Sequence, residues 1–191
     1  MAKKRSDLLS RYALLKALKT ILSSPARNFS IRELAKEARI SPSASKASCD
    51  YLLSEGIVSD KGSVGRASQL SANLESVLAK QWKILFSLQS IENAGLMRAA
   101  LEKIPNPVCI LLYGSVAKGT DDSKSDVDLL AISHSRKRAS IRLIKDALGR
   151  DVNLLVMTPS EWREVARKNK VFYDQVISDS IILYGKKPVV L

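Results

Sequence analysis

Two aspartates and a glycine–serine turn are the residues of this chain best suited to chemistry. Asp126 and Asp128 stand two positions apart at the start of an apolar segment, and residues two apart in a strand face the same side. Upstream, the apolar run 107–113 ends at Gly114 and Ser115, which predicts a buried strand followed by a sharp turn. Carboxylates bind divalent cations, and a glycine turn that leads into a helix lets a phosphate approach backbone N–H groups. The pattern therefore predicts a site for a metal-bound triphosphate.

The spacing of these residues also matches a known signature. The order hydrophobic–Gly–Ser, a gap, then Asp–hydrophobic–Asp resembles the DNA polymerase β nucleotidyltransferase superfamily, and most of all its minimal domains. The resemblance covers roughly residues 104–185. It implies that Asp126 and Asp128 are catalytic and hold Mg²⁺ or Mn²⁺. It also implies that Gly114, Ser115 and Lys118 bind the phosphates of a nucleoside triphosphate, which is a substrate or an effector.

An amide occupies the position where this superfamily carries a third acidic residue. The predicted strand runs from Asp151 to Met157, and its triplet Val152–Asn153–Leu154 places Asn153 at the carboxylate position. An amide is neutral and cannot act as a base. Asp151 lies two residues earlier on the same predicted face, so it is the alternative third metal ligand. Both a working enzyme and a catalytically degenerate nucleotide-binding domain therefore remain open.

The N-terminal region shows a different pattern, typical of a DNA-binding module. Helical periodicity and capping residues predict three helices, over residues 7–22, 30–38 and 41–55. A glycine-containing tip between two short extended segments follows them and predicts a wing. Residues from about 8 to 71 thus resemble a winged helix-turn-helix domain, whose second motif helix enters the major groove.

The resemblance implies which residues of this module contact DNA. They are Ser43, Ser45 and Lys46 on the helix and Lys61 and Arg66 at the wing. The net charge of +12, from 31 basic and 19 acidic residues, favours a polyanionic partner. A winged helix that contacts only protein is the alternative.

The predicted fold class is α+β, with a helical connector between the two modules. We expect a winged-helix domain at 1–72, the connector at 73–103, and a nucleotidyltransferase-like domain with a small mixed sheet at 104–191. The connector has a broad apolar face that must be buried, either between the domains or in a homodimer. Two isolated cysteines and the lack of an apolar segment of membrane length predict a cytoplasmic protein with no membrane partner.

Together the modules predict a DNA-associated nucleotidyltransferase that transfers a nucleoside monophosphate from a nucleoside triphosphate to an unidentified acceptor. The alternative is a winged-helix transcriptional regulator that binds nucleotide without turnover because Asn153 replaces the acid. Family analogy alone adds a third prediction, a helical partner protein of the kind encoded beside minimal nucleotidyltransferases in toxin–antitoxin pairs.

Overall fold

The computed structural model describes residues 12–64, 67–135 and 148–190. The described residues form two compact units that divide between Gln89 and Ser90. The dividing point falls inside the segment 73–103, which the sequence predicts to be a connector. Within the described ranges, no helix has the length and apolar character needed to cross a bilayer.

The first unit consists of helices followed by a hairpin. The elements are α1 (Ala13–Ser23), α2 (Ile31–Ala38), α3 (Pro42–Ser54), β1 (Val58–Val64) and β2 (Ala67–Ala72), with α4 (Val77–Asn93) starting in this unit. Strands β1 and β2 pair antiparallel, and Phe29 forms an isolated bridge to Leu70. The buried core draws on all of these elements and includes Leu18, Ile21, Phe29, Leu34, Leu52 and Leu70.

The starts of α2 and α3 follow from their capping residues. The Ser30 side chain accepts a hydrogen bond from the Glu33 N–H, and the Ser30 N–H donates to Glu33 Oε2 at 2.8 Å, which completes the predicted capping box. Ser41 accepts from the Ala44 N–H, and Pro42 takes the first helical position. Both predicted helix starts are therefore confirmed.

The second unit contains a mixed sheet of four strands in the order β5-β4-β3-β6. Strand β3 pairs antiparallel with both β4 and β6, whereas β4 and β5 are parallel. The elements are α5 (Leu96–Lys103), β3 (Pro107–Tyr113), α6 (Gly114–Lys118), β4 (Val127–Ser133), β5 (Val152–Met157), α7 (Pro159–Lys168), α8 (Lys170–Asp179) and β6 (Ile181–Gly185). The mixed α+β character of the prediction is confirmed.

Helices α7 and α8 cover one face of this sheet. Trp162 of α7 is 2 % exposed and lies in a cluster with Cys109, Leu111, Leu130 and Val176. The order Thr158–Pro159–Ser160–Glu161 in the sequence predicts a second capping box, and the structure confirms it at the start of α7. Because β3 and β4 are buried side by side, the residues at their ends hold fixed positions relative to each other.

Candidate functional site

Strand pairing brings the sequence-predicted polar residues to one end of the sheet. Tyr113, the last residue of β3, pairs with Asp128 across the antiparallel ladder, and Asp128 pairs with Asn153 across the parallel one. The Asn153 Nδ2 donates to Asp126 Oδ2 and to Asp128 Oδ1, each at 3.1 Å. Both carboxylates and the amide therefore converge, and Gly114 directly follows Tyr113 at the same place.

Gly114 is the residue that permits this close approach. Its φ is +75°, and a Cβ built on it would lie 2.5 Å from Asp128 Oδ2. A left-handed φ is strained for any residue with a side chain, and a contact of that length is a steric clash. Only glycine satisfies both conditions, so the turn after β3 can lie directly against the Asp128 carboxylate.

The carboxylates differ in how they are held. The spacing of the aspartates predicts a strand that contains both, but β4 begins at Val127, so Asp126 lies in the loop that precedes the strand. Asp126 and Asn153 are exposed and Asp128 is half-buried. The pair is thus open to a ligand from solvent, with Asp128 fixed by the sheet and Asp126 by its loop.

Asp151 lies directly before strand β5. Strand β5 begins at Val152, and the backbone carbonyl of Asp151 accepts from the Val127 N–H at 2.8 Å. Among the described residues, no three His, Cys, Asp or Glu side chains lie together in a way that could hold a metal ion. That Asp151 joins Asp126 and Asp128 as a metal ligand therefore stays a prediction, whereas Asn153 is the β5 residue that pairs with Asp128.

The other two predicted phosphate contacts lie on the short helix α6. Ser115 follows Gly114 and is half-buried, whereas Lys118 is exposed. The Lys118 Nζ lies 4.0 Å from Asp179 Oδ2 at the end of α8. Lys118 is thus drawn toward α8, and its exposure leaves the ammonium group accessible to a ligand.

Tyr113 contributes a half-buried phenol beside the carboxylates. Burial raises its pKa above the ordinary tyrosine value, and the negative charge of Asp128 raises that pKa further. Its ring makes an edge-on contact with Phe172 of α8, with ring centroids 5.7 Å apart. The phenol therefore stays neutral at ordinary pH and packs the turn onto the helical layer.

Sequence reasoning missed an ion pair beneath the loop that carries Asp126. Asp121 is buried, and its Oδ2 accepts from Arg150 Nη2 at 2.8 Å. The partners are 29 residues apart in sequence, so neither spacing nor periodicity could indicate the pairing. A charged residue that precedes a strand is usually exposed, and only burial distinguishes this one.

The predicted DNA-contacting residues divide into three groups. Ser43, Lys46 and Lys61 are exposed, and Lys46 Nζ pairs with Asp50 Oδ2 at 2.9 Å. Arg66 lies outside the described residues. Ser45 is buried and its Oγ donates to the Ile31 carbonyl at 2.9 Å. The prediction that Ser45 lies on the exposed face of its helix is therefore wrong, because it packs α3 onto α2.

Comparison with known families identifies the second unit. Residues 96–189 match the family described as "Polymerase beta, Nucleotidyltransferase". They form a nucleotidyltransferase-type domain. A search of curated protein sequences gave no significant match. The nucleotidyltransferase-type domain thus includes every described element from α5 to β6, with the Gly114 turn and the two aspartates inside it.

Three solved structures show partial similarity to the chain. A toxin–antitoxin complex with AMP-PNP is 25 % identical over 50 % of this chain and 74 % of its own, at a TM-score of 0.39. A Sulfolobus solfataricus protein assigned as a nucleotidyltransferase is 18 % identical over 59 % of this chain and 93 % of its own, at a TM-score of 0.34. The archaeal chromatin protein TrmBL2, whose structure shows a novel mode of DNA binding, is 11 % identical over 85 % of this chain and 71 % of its own, at a TM-score of 0.30. Similarity at these TM-scores defines neither a ligand nor a partner.

Proposed function

We propose that the chain is a DNA-associated nucleotidyltransferase, which transfers a nucleoside monophosphate from a nucleoside triphosphate to an acceptor hydroxyl. One observation carries the proposal. Asp126 and Asp128 reach the same amide nitrogen, each at 3.1 Å, and Gly114 lies against one of them. Two carboxylates beside a glycine turn form the arrangement that holds a triphosphate and its cations.

The oxygen atoms present suit Mg²⁺ or Mn²⁺. Both ions prefer oxygen ligands, and the free carboxylate oxygens of Asp126 and Asp128 would hold them here. A bound cation would neutralise the charge that develops on the transferred phosphoryl group. Gly114 leaves room for a phosphate beside the backbone, while Ser115 and Lys118 offer a hydroxyl and an ammonium group to its oxygens.

The role of Asn153 separates this proposal from its alternative. The Asn153 amide bridges the two carboxylates but cannot accept a proton from an acceptor hydroxyl. This observation favours a second candidate function, a winged-helix transcriptional regulator that binds nucleotide as an effector and does not turn it over. In both functions Asp126 and Asp128 bind the metal–nucleotide complex, so only the transfer step distinguishes them.

The DNA association rests on the first unit. Its order of three helices and an antiparallel hairpin supports a winged helix-turn-helix, with α3 as the groove-binding helix and the hairpin as the wing. Ser43 and Lys46 are exposed on α3, and Lys61 is exposed on the hairpin. Together with the high net positive charge of the chain, these positions support contacts to the DNA backbone.

A label-transfer assay tests the two functions against each other. The full chain is incubated with α-labelled nucleoside triphosphates, Mg²⁺ or Mn²⁺, and candidate acceptors of protein, RNA or small-molecule type. We expect transfer that Asp126→Asn abolishes and Asp174→Asn leaves intact. Asp174 is a suitable control because it is exposed on α8, where it forms an ion pair with Lys170 of the same helix.

The regulator gives a different result in the same experiment. Nucleotide would bind without transfer and would change the affinity of the protein for DNA. Gain of transfer in Asn153→Asp would then identify the amide as the cause of inactivity. Absence of both transfer and nucleotide binding in the unaltered protein would rule out both functions.

A further inference from the structure

The guanidinium group of Arg150 donates three hydrogen bonds to one short segment of chain. Its Nη2 donates to Asp121 Oδ2 at 2.8 Å and to the Asp122 carbonyl at 2.7 Å, and its Nε donates to the Ser125 carbonyl at 2.7 Å. The side chains of Arg150 and Asp121 are 18 % and 1 % exposed. The guanidinium therefore fixes both ends of the segment 121–125 from within the protein.

The energetics of this pair indicate a geometric role. Burying two charges removes them from water, and their mutual attraction offsets that cost only when the geometry is good, so a buried ion pair is weak evidence for stability. A guanidinium is planar and presents its donors in a fixed fork, and it therefore restricts the direction of each partner. Lysine has a single flexible ammonium group and could not reproduce the three contacts.

The segment that Arg150 holds is already ordered by its own turn. Asp122 Oδ1 accepts from the N–H groups of Lys124 and Ser125, each at 2.8 Å. These bonds lower the pKa of Asp122 below the ordinary aspartate value. The turn is thus a compact unit, and Arg150 determines where that unit lies relative to the sheet.

The position of Arg150 in the chain connects the two halves of the site. Asp126 directly follows the held segment, and Asn153 lies three residues after Arg150 at the start of β5. Between them, the Val127 N–H donates to the Asp151 carbonyl at 2.8 Å. Arg150 therefore ties the chain that leads into Asp126 to the chain that leads into Asn153. Asp128 needs no such support because it lies within a buried strand.

We propose that Arg150 is a positioning residue that keeps the Asp126 carboxylate beside Asp128 in the arrangement that binds a divalent cation. The inference rests on the proposed function, since it concerns the same metal-binding carboxylates. Arg150 acts on them through the loop, because its three hydrogen bonds go to residues 121, 122 and 125.

Binding of Mn²⁺ alone to the full-length chain tests the proposal, measured by calorimetry and by the Mn²⁺ electron paramagnetic resonance signal. We expect Arg150→Gln and Arg150→Lys to bind Mn²⁺ roughly 10-fold to 100-fold more weakly, the range typical when the support of a metal ligand is lost. Arg98→Gln is the matched control, because Arg98 is exposed and pairs on the surface with Glu102. Its Mn²⁺ affinity should equal that of the unaltered protein.

A double variant separates positioning from folding. Arg150→Gln alone removes a cation that faces the buried Asp121 carboxylate, which can unfold the domain. Asp121→Asn combined with Arg150→Gln removes both charges, so we expect a folded protein that still binds Mn²⁺ weakly. Hydrogen exchange in the double variant should increase in peptides that cover residues 121–128 and stay unchanged in peptides from α7 and α8.

Three results would overturn the inference. If the Arg150 variants bind Mn²⁺ as tightly as the unaltered protein while Asp126→Asn does not bind it, the site exists and Arg150 does not position it. If exchange increases throughout the second unit of the double variant, the pair serves folding alone. If the unaltered protein binds no Mn²⁺, or if Asp126→Asn binds it equally well, the proposed function fails and this inference fails with it.

Discussion

Gly114→Ala is the substitution for which the structure gives the clearest quantitative expectation. The added Cβ would lie 2.5 Å from Asp128 Oδ2, whereas ordinary contact begins at about 3.4 Å, so the carboxylate has to withdraw by about 0.9 Å. A side chain at a φ of +75° also costs about 1–2 kcal/mol of backbone strain. The substitution should therefore lower stability and displace one of the two carboxylates of the site.

The backbone strain and the clash with Asp128 can be measured separately, because Gly95→Ala introduces the strain without a clash. Gly95 has a φ of +69°, and nothing lies within 4 Å of the place that an added Cβ would occupy. We expect Gly95→Ala to lose about 1–2 kcal/mol of unfolding free energy in urea titrations, and Gly114→Ala to lose at least that much because the clash adds to the strain. Only Gly114→Ala should also bind Mn²⁺ roughly 10-fold to 100-fold more weakly, and should transfer label roughly 10²-fold more slowly if the protein is an enzyme.

Two results would refute this reasoning. The first is an Mn²⁺ affinity in Gly114→Ala that is indistinguishable from that of the unaltered protein, since the displaced carboxylate would then have no part in binding. The second is an equal loss of Mn²⁺ affinity in Gly95→Ala, since the loss would then follow from backbone strain alone.

Three further predictions concern the amide, the proposed DNA-binding surface and the buried thiols. Asn153→Asp should lower the unfolding free energy without metal by roughly 1–3 kcal/mol, because two hydrogen bonds of about 0.5–1.5 kcal/mol each are lost. Added Mn²⁺ should restore that stability, because the new carboxylate would bind the cation together with Asp126 and Asp128. If the loss of unfolding free energy is the same with and without Mn²⁺, the three carboxylates do not bind a common cation. Lys46→Ala should reduce the salt dependence of DNA binding by about 0.9 in the log–log slope, measured by fluorescence anisotropy. Ser45→Ala should leave that slope unchanged while lowering stability by about 1 kcal/mol. Burial raises the pKa of both Cys49 and Cys109, so a thiol reagent at pH 8 should label neither until the protein unfolds. The stability that these neutral thiols contribute is complete below the ordinary thiol pKa of about 8.5 and is lost as the pH rises above it, so fast labelling of the native protein would contradict their burial.

The features that the sequence predicted correctly are local ones. Ser30 and Glu33 are three residues apart, and so are Thr158 and Glu161, so each capping box depends on contacts within one helical turn. The glycine turn after β3 follows from an apolar run that ends abruptly at Gly114. Such signals depend only on residues a few positions apart and not on the rest of the chain.

The errors arose where exposure or register depends on distant parts of the chain. Ser45 is polar and was predicted to be exposed, but a small hydroxyl that bonds to the Ile31 carbonyl can be buried between two helices. Asp126 shares a spacing of two with Asp128, but the strand begins after it. A period-two pattern does not state where a strand starts, and hydrogen bonding to the neighbouring strand decides that.

By itself the sequence determined which residues could do chemistry: two aspartates two positions apart, a glycine–serine turn before them, and an asparagine in the apolar segment that follows. The tertiary structure alone decided that the Asn153 amide bridges both carboxylates, because the parallel register of β4 and β5 pairs it with Asp128. It also decided that Arg150 holds the loop in front of Asp126, through an ion pair with Asp121, which lies 29 residues before Arg150 in the sequence. Both contacts join segments that meet only when the sheet has formed, and no local spacing encodes them.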